Sequence, residues 1–335
     1  MLAIGNAIYD TFWSGAAAAA IIGAHASIHL DPATIEQVEA QLKRSDTQGQ
    51  ARGFAAGAPG NVARIAAQLG VNTTLLALLG NDPVATAYRT QMQRAQVRVL
   101  SPECSAPSGR AHIAIDAART LGTSNLVVLP APEWFELAPD TFTALRQGID
   151  AFCAEPGQVY IDGYLAREAG LLERIGRALA GKPVHVALDL ASAGLVEARR
   201  GELCRFVAES VDTLFADERE LAALGDVSEM APRRRGALLV KKLPPTGCEL
   251  LPLGADRDAP AIRVVADAAR EVDATGAGDC FAAAWIAARC AELNPHDTAL
   301  FAHRAAARSV ATVGATLLPT DAGTLPAELR LKLGD

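Results

Sequence analysis

The sequence feature that most constrains this chain is a glycine-rich turn followed directly by a long apolar segment. Residues 272–279 read Val-Asp-Ala-Thr-Gly-Ala-Gly-Asp, and residues 280–289 form an alanine-rich run with the length of a buried helix. Gly276 and Gly278 can adopt backbone conformations closed to other residues, so a ligand can approach the main chain. Because free N–H groups and the helix dipole meet at a helix N-terminus, this turn predicts a site for an anion such as a phosphate.

Asp279 directly follows the predicted anion site. A bound anion would repel its carboxylate, so charge balance alone does not explain an acid at this position. The carboxylate suits a general base that takes a proton from a hydroxyl about to attack phosphorus. The alternative interpretation is an ordinary glycine-rich turn in which Asp279 caps the helix.

Two further stretches predict ligand contacts. Asp10 ends the first predicted strand, residues 2–10, and ligands of open α/β sheets gather at the carboxyl ends of strands. A loop-capping aspartate is the alternative. The small-residue loop 56–61 opens another predicted helix, where Asn61 either faces a ligand or acts as a plain N-cap.

The remaining pattern is that of an α/β protein, because short apolar runs alternate with helical segments from residue 126 onward. We predict strands at 126–129, 159–161, 184–188, 213–216 and 237–241 and helices at 141–155, 167–180, 191–206, 218–224 and 297–313. In the irregular region 11–55, short strands are suggested at 21–23 and 28–30, followed by a capped helix start at Asp31. No G-x-G-x-x-G follows the first strand, so a dinucleotide-binding fold is not supported.

Charge and cysteine usage limit the partners. A net charge of −7 argues against a general nucleic-acid or anionic-membrane partner. No apolar run reaches the roughly 18–20 residues of a membrane span. The 6 cysteines are scattered without a CxxC pair, which is typical of reduced thiols, and we expect a cytoplasmic protein.

The two small-residue loops resemble the signatures of the ribokinase-like (PfkB) carbohydrate and nucleoside kinases. Asp-Ala-Thr-Gly-Ala-Gly-Asp closely matches the C-terminal signature of that family. Gly57 and Asn61 match the second glycine and the asparagine of the N-terminal signature, whereas Ala56 replaces its first glycine. The resemblance covers nearly the whole chain, from about residue 2 to residue 319.

The fold that this resemblance implies is a three-layer α/β/α sandwich with a mostly parallel central sheet and a small β-sheet lid. It divides the chain into a core strand (1–12), a lid segment (13–55), a core segment (56–97), a second lid segment (98–125) and an α/β core with the nucleotide site (126–335). Lids of the family sometimes pair, so the resemblance allows a homodimer through the lid.

The resemblance also implies roles for individual residues. The catalytic group comprises Asp279 as the base and Gly276, Ala277 and Gly278 as the anion hole. The substrate-binding group comprises Asp10, Gly57 and Asn61. The nucleotide-binding group comprises Asp189, Asp217, Thr275, Gly247 and His303, and Glu220 would hold Mg²⁺ through water. For His303 alone on a helix, a structural role is the alternative.

Two departures from the family pattern fall on the nucleotide side. Asp217 replaces the asparagine of the family's Asn-x-x-Glu motif, and Pro244 replaces a glycine. A carboxylate at position 217 can still hold metal-bound water, since Mg²⁺ prefers oxygen ligands, but it adds charge beside ATP. The alternative is an acid that only caps the helix at 218–224.

The implied reaction is ATP-dependent phosphorylation, with Mg²⁺, of a hydroxyl on a sugar or sugar-containing small molecule. A nucleoside such as adenosine is the second candidate, because Gly163-Tyr164 and residues 314–319 resemble the adenosine-kinase branch. A nucleoside needs a stacking surface, for which the candidates are Phe12, Trp13, Phe54 and Trp134. A non-catalytic sugar- or nucleotide-binding regulator is the third candidate; Asp279 argues against it, and the departures at 217 and 244 favour it.

Overall fold

Two separate β-sheets organise the chain. The computed structural model describes residues 1–25, 32–47, 49–102, 104, 106–115, 123–128, 139–227, 230, 232, 234, 236–255, 260–267, 275–311 and 317. The elements of these residues, in chain order, are β1 (Leu2–Ile4), β2 (Ile8–Ser14), α1 (Ala16–Ala24), α2 (Pro32–Ser45), β3 (Arg52–Ala56), α3 (Ala58–Gln68), β4 (Thr73–Leu76), α4 (Pro83–Arg94), β5 (Val97–Leu100), β6 (Gly109–Ile115), β7 (Thr123–Val128), α5 (Pro139–Phe152), β8 (Gly157–Asp162), α6 (Leu171–Leu179), β9 (Val184–Asp189), α7 (Ala193–Ser210), β10 (Thr213–Ala216), α8 (Glu218–Leu224), β11 (Leu238–Leu243), β12 (Gly247–Pro252), β13 (Ile262–Val265), α9 (Ala277–Cys290) and α10 (Pro295–Ser309).

The larger sheet forms the centre of a three-layer sandwich. Its described strands run in the order β13-β12-β11-β10-β9-β8-β1-β4-β5, parallel from β5 to β11 and antiparallel for β12 and β13. Both faces are apolar: Tyr160 packs with α3, α9 and α10, whereas Val159 and Ile161 pack with α5, α6 and α7. A parallel sheet needs such cover on both sides, and the predicted fold class is confirmed.

Most of the predicted core elements are present. The strand at 213–216 and the helix at 218–224 coincide with β10 and α8, and the predictions for β8, β9, β11, α5, α6, α7 and α10 overlap the observed elements. The strand predicted at 126–129 overlaps β7, but its placement in the parallel core sheet is wrong, because β7 pairs antiparallel with β6 in the smaller sheet. An apolar run shows that a strand forms but does not choose its partner.

The smaller sheet takes its first strand from a segment that the sequence assigned to one core strand. Residues 2–10 divide into β1 in the large sheet and β2 in the small sheet, which has the order β3-β2-β6-β7. The chain changes sheet at Gly5, where a Cβ would lie 2.8 Å from side-chain atoms of both Asp162 and Pro59. The division of the chain into core and lid segments stays a prediction, and the small sheet begins at Ile8 in the structure.

A pair of helices covers one face of the small sheet. The predicted strand at 21–23 is wrong, because α1 occupies these residues; the five alanines before them have the highest helix propensity. Ile22 of α1, Val38 and Leu42 of α2 and Trp13 of β2 form a buried cluster. The predicted strand at 28–30 lies outside the described residues. None of the described helices is both long and apolar enough to cross a membrane.

Candidate active site

The carboxyl ends of the parallel strands and the N-terminus of α9 meet at one edge of the large sheet. Asp162 of β8 lies in register with Asp189 of β9, and Asp189 with Phe215 of β10. Lys242, near the end of β11, reaches the Asp189 carboxylate. Since parallel strands end at the same edge, the charged residues that follow their apolar cores are brought together there.

The glycine-rich turn that carries the predicted anion site lies at the start of α9. Gly276 is the N-cap residue in a left-handed conformation (φ 72°, ψ 12°), which glycine adopts without strain. A Cβ on Gly278 would meet no atom within 4 Å, so space lies open beside this backbone. Residues 280–288 are buried where α9 packs on α3, α10 and the sheet, with alanines that allow close approach and with Phe281 and Trp285 filling the core. The predicted buried helix, with glycines at its N-terminus, is therefore observed.

Asp279 lies in the first turn of α9 and does not cap the helix. Its Oδ2 accepts a hydrogen bond of 2.8 Å from Nδ2 of Asn61 on α3. Burial raises the pKa of Asp279 to about 7, assisted by the charge of Asp189, while the Asn61 hydrogen bond and the charges of Lys242 and Arg64 lower it. A carboxylate that titrates near neutral pH can accept a proton there, as a general base must.

Asn61 is not an N-cap either, since α3 begins after Gly57. The Asn61 side chain is buried, and its Oδ1 accepts a hydrogen bond from Nη2 of Arg64 one turn further along α3. Gly57 has φ 79° and ψ 144°, and a Cβ there would collide with the carbonyl oxygen of Asn6. Glycine is therefore required at position 57 by the backbone alone.

Asp10 projects from the small sheet toward the same space. Burial, and after it the charge of Asp279, raise its pKa to about 7 against the opposing charge of Arg64. On the neighbouring strand Phe54 lies directly opposite Asp10, and the Phe54 ring meets Phe12 edge to face at 5.5 Å. The small sheet thus presents an acid near Asp279 and, on the same face as that acid, an aromatic pair.

Charged residues that the sequence predicts for nucleotide binding are paired with one another or with Lys242 in the structure. Asp189 is buried, and both its oxygens accept hydrogen bonds of 3.0 Å from Lys242 Nζ. Burial lowers the pKa of Lys242, but the charges of Asp189 and Glu220 outweigh this and raise it. Asp217 and Glu220 form a capping box on α8: Asp217 Oδ1 accepts from Glu220 N at 2.8 Å, and Glu220 Oε2 accepts from Asp217 N at 2.7 Å.

The capping box supports the alternative interpretation of Asp217, because one of its oxygens already serves the helix. Burial raises the pKa of Glu220, an effect that the charge of Lys242 opposes. Within the part of the chain that the structure describes, no group of three or more His, Cys, Asp or Glu side chains could hold a metal ion by itself. Oxygen ligands such as Asp189 and Glu220 suit Mg²⁺ through its bound water.

The three other residues predicted to contact the nucleotide, Thr275, Gly247 and His303, lie in different parts of the fold. Thr275 directly precedes the α9 N-cap. Gly247 lies in β12, where a Cβ would collide with the Val264 carbonyl of β13, so sheet packing alone requires this glycine. His303 on α10 packs against Phe281, with ring centroids 4.9 Å apart. Burial lowers its pKa to about 4, and its Nε2 is buried without a hydrogen bond to the described residues.

Three charged residues of the site were missed by sequence reasoning: Arg64, Asp162 and Lys242. Asp162 is 2% exposed, its Oδ1 accepts from Tyr164 N at 3.1 Å, and burial raises its pKa to about 7. Asp162 follows the predicted strand at 159–161, so the rule that singled out Asp10 could have found it. Lys242 follows the predicted strand at 237–241 in the same way, whereas Arg64 carries no motif of its own.

An α/β sandwich with a small second sheet, an open glycine-rich helix N-terminus and a buried carboxylate beside it is typical of one class of phosphotransferase. The model of the family described as pfkB family carbohydrate kinase matches residues 24–321. The chain therefore belongs to the pfkB family and is an ATP-dependent kinase that acts on a sugar or a nucleoside.

Solved structures of other proteins share the fold. A probable sugar kinase from Rhizobium etli CFN 42 is 22% identical, with a TM-score of 0.75 over 99% of this chain and 98% of that one. Adenosine kinase from Sinorhizobium meliloti is 21% identical, with a TM-score of 0.76 over 95% of each chain. An uncharacterized sugar kinase from Pyrococcus horikoshii, in complex with ATP, is 19% identical, with a TM-score of 0.64 over 99% of each chain. No curated protein matches the sequence.

Proposed function

We propose that this chain transfers the γ-phosphoryl group of ATP to a hydroxyl of a sugar or sugar-containing small molecule. The observation that carries this proposal is the position of Asp279, in the first turn of α9 beside Gly276 and Gly278 and held by Asn61. With a pKa of about 7, the carboxyl group is available both to accept a proton and to release it near neutral pH.

In the proposed reaction, Asp279 takes the proton of the acceptor hydroxyl while the oxygen of that hydroxyl forms a bond to the γ-phosphorus. The bond between the γ-phosphorus and the β,γ-bridging oxygen breaks, and ADP leaves. The backbone N–H groups of Ala277, Gly278 and Asp279 lie at the open N-terminus of α9, where they stabilise the charge on the phosphoryl group.

The substrate contacts that we propose are Asp10, Gly57 and Asn61. The proximity of Asp10 and Asp279, which raise each other's cost of ionisation, supports a shared space for a polyhydroxyl ligand. Asn61 also holds the base through its Nδ2, so its role extends beyond the substrate. The small sheet would close over this space and exclude water that could otherwise hydrolyse ATP.

For the nucleotide we propose the remaining predicted residues, with His303 facing the adenine base and Asp189, Asp217, Thr275 and Gly247 on the phosphate side. The buried Nε2 of His303 fits a hydrogen bond to a base. Mg²⁺ would neutralise phosphate charge, held mainly by the phosphates, with Glu220 arranging its water. The carboxylate oxygens of Glu220 and Asp189 fit such a hydrated ion.

A nucleoside is the second candidate acceptor, and the aromatic pair on the lid favours it. Phe12 and Phe54 lie on the Asp10 face of the small sheet, and Phe54 is 39% exposed. An exposed ring beside a hydroxyl-binding acid offers a base a stacking surface. Trp13 faces the opposite side, where its Nε1 donates to His112 Nδ1 at 3.1 Å. Trp134 lies outside the described residues.

The test is phosphate transfer from Mg-ATP across a panel of sugars and nucleosides. Asp279→Asn should lower kcat by about 10²–10⁴-fold with ATP binding retained. Asp297→Asn is the matched control, because Asp297 lies exposed in the first turn of the neighbouring helix α10. Full activity of Asp279→Asn would refute the base assignment. Absence of turnover, with a panel compound still raising the melting temperature, would favour the non-catalytic regulator.

The homodimer through the lid and the cytoplasmic location stay proposals. Helices α1 and α2 already cover the Trp13 face of the small sheet, so a lid-mediated dimer would have to use the edges of that sheet or its Asp10 face. Light scattering of the purified chain, with and without substrate, measures the oligomeric state directly.

A further inference from the structure

Lys242 is a buried cation at the point where the carboxylates of the site meet. Its Nζ donates to both oxygens of Asp189 at 3.0 Å, and its side chain is 20% exposed. The charge of Lys242 also acts on Glu220 and on Asp279. One ammonium group is thus electrically close both to the nucleotide-side acids and to the proposed base.

Acids outnumber cations in the described part of the site. The acids are Asp10, Asp162, Asp189, Asp217, Glu220 and Asp279, and the cations that act on them are Arg64 and Lys242. Arg64 lies on the substrate side, where it donates to Asn61. Of these two cations, Lys242 is therefore the one placed to meet the negative charge of a nucleoside triphosphate.

We propose that Lys242 exchanges partners during the reaction, leaving the Asp189 carboxylate to donate to an oxygen of the γ-phosphoryl group. This inference rests on the proposed function. The lysine side chain suits the exchange, since it carries a compact charge with three rotatable donors on a flexible stem. The terminal phosphate of ATP carries more negative charge than one carboxylate, so it competes well for the ammonium group.

The same charge has a second effect, on the base. Lys242 lowers the pKa of Asp279, so its removal makes Asp279 harder to ionise. Loss of the lysine should therefore displace the acid limb of the kcat/KM profile toward higher pH. If Lys242 served only its ion pair with Asp189 and had no effect on Asp279, its loss would leave the acid limb at the wild-type pH.

The test compares Lys242→Met and Lys242→Arg with Lys241→Met. Lys241 is the matched control, because it precedes Lys242 on β11 but pairs with Glu218 and Glu249. Lys242→Met should lower kcat by about 10²-fold, as loss of one preorganised donor does, with partial recovery in Lys242→Arg. By calorimetry, the methionine variant should bind a non-hydrolysable ATP analogue about 10-fold more weakly and ADP within about twofold of wild type.

A double variant separates this role from simple charge pairing. Lys242→Met leaves Asp189 as an unpaired buried carboxylate, which Asp189→Asn relieves. If pairing were the only role, the double variant would recover the activity of Asp189→Asn; we expect it to stay at the level of Lys242→Met.

Three results would overturn the proposal. The first is recovery of the Asp189→Asn activity in the double variant. The others are a kcat of Lys242→Met within about threefold of wild type, and equal losses of affinity for ADP and the ATP analogue. If the wild type phosphorylates no acceptor, the proposed function fails. The comparison of ADP with the analogue still decides whether Lys242 contacts the γ-phosphate.

Discussion

The hydrogen bond between Asn61 and Asp279 should control the pH at which the enzyme works. Asn61 Nδ2 donates to Asp279 Oδ2 at 2.8 Å and thereby stabilises the ionised form of a carboxyl group whose pKa burial has raised to about 7. Asn61→Ala removes the donor without adding charge. A hydrogen bond to an ionised group contributes about 1.5–3 kcal/mol. Since one decade of ionisation costs 1.36 kcal/mol, the pKa of Asp279 should rise by about 1–2.

The assay is the pH profile of kcat/KM for the acceptor that the panel identifies. Activity requires the deprotonated base, so the profile should rise with pH and level off above the apparent pKa, which Asp279 shares with the neighbouring Asp10. In Asn61→Ala the acid limb should move toward higher pH by about 1–2 pH units, and the loss of the proposed substrate contact should lower kcat/KM equally at every pH in addition.

The control is Gln68→Ala on the same helix, which removes a hydrogen bond to the Leu317 carbonyl instead. Its acid limb should coincide with that of the wild type. An acid limb that stays at the wild-type position in Asn61→Ala would refute the reasoning, since it would mean that Asn61 acts on the substrate alone and not on the base.

Two further predictions concern stability. The folded-state pKa of Asp162, about 7, exceeds the value of 3.8 for a free side chain. Between these pH values the unfolded chain releases the Asp162 proton while the folded protein keeps it, so the free energy of unfolding falls as pH rises. The advantage of Asp162→Asn in urea unfolding should therefore grow by up to about 3 kcal/mol from about pH 5 to pH 8, and an advantage independent of pH would contradict the cause. Gly57→Ala should lower the free energy of unfolding by at least about 2 kcal/mol, because it forces a Cβ toward the Asn6 carbonyl at positive φ. Gly278→Ala, whose Cβ meets open space, should keep the wild-type melting temperature and lose phosphoryl transfer; equal destabilisation by both changes would contradict this assignment.

Sequence patterns spanning a few residues predicted many of the strands and helices of this protein. Apolar runs bounded by turns placed β8, β9, β10 and β11, and alanine content placed α9 with its glycines at the N-terminus. These features depend on local sterics, helix propensity and burial, which act between close neighbours in the chain. The same local rule is correct for Asp189, the last residue of β9, but wrong for Asp10, which lies within β2 and does not end a strand.

Only the tertiary structure decided which distant residues meet. The partner of Asp279 is Asn61, which lies 218 residues away, and the partner of Lys242 is Asp189, 53 residues away. Long-range pairing also decided that β2 and β7 belong to the small sheet. No local pattern in these strands distinguishes one sheet from the other. Local propensity therefore determined the elements and the glycine-rich N-terminus of α9, while long-range pairing determined how the proposed base is held and charged.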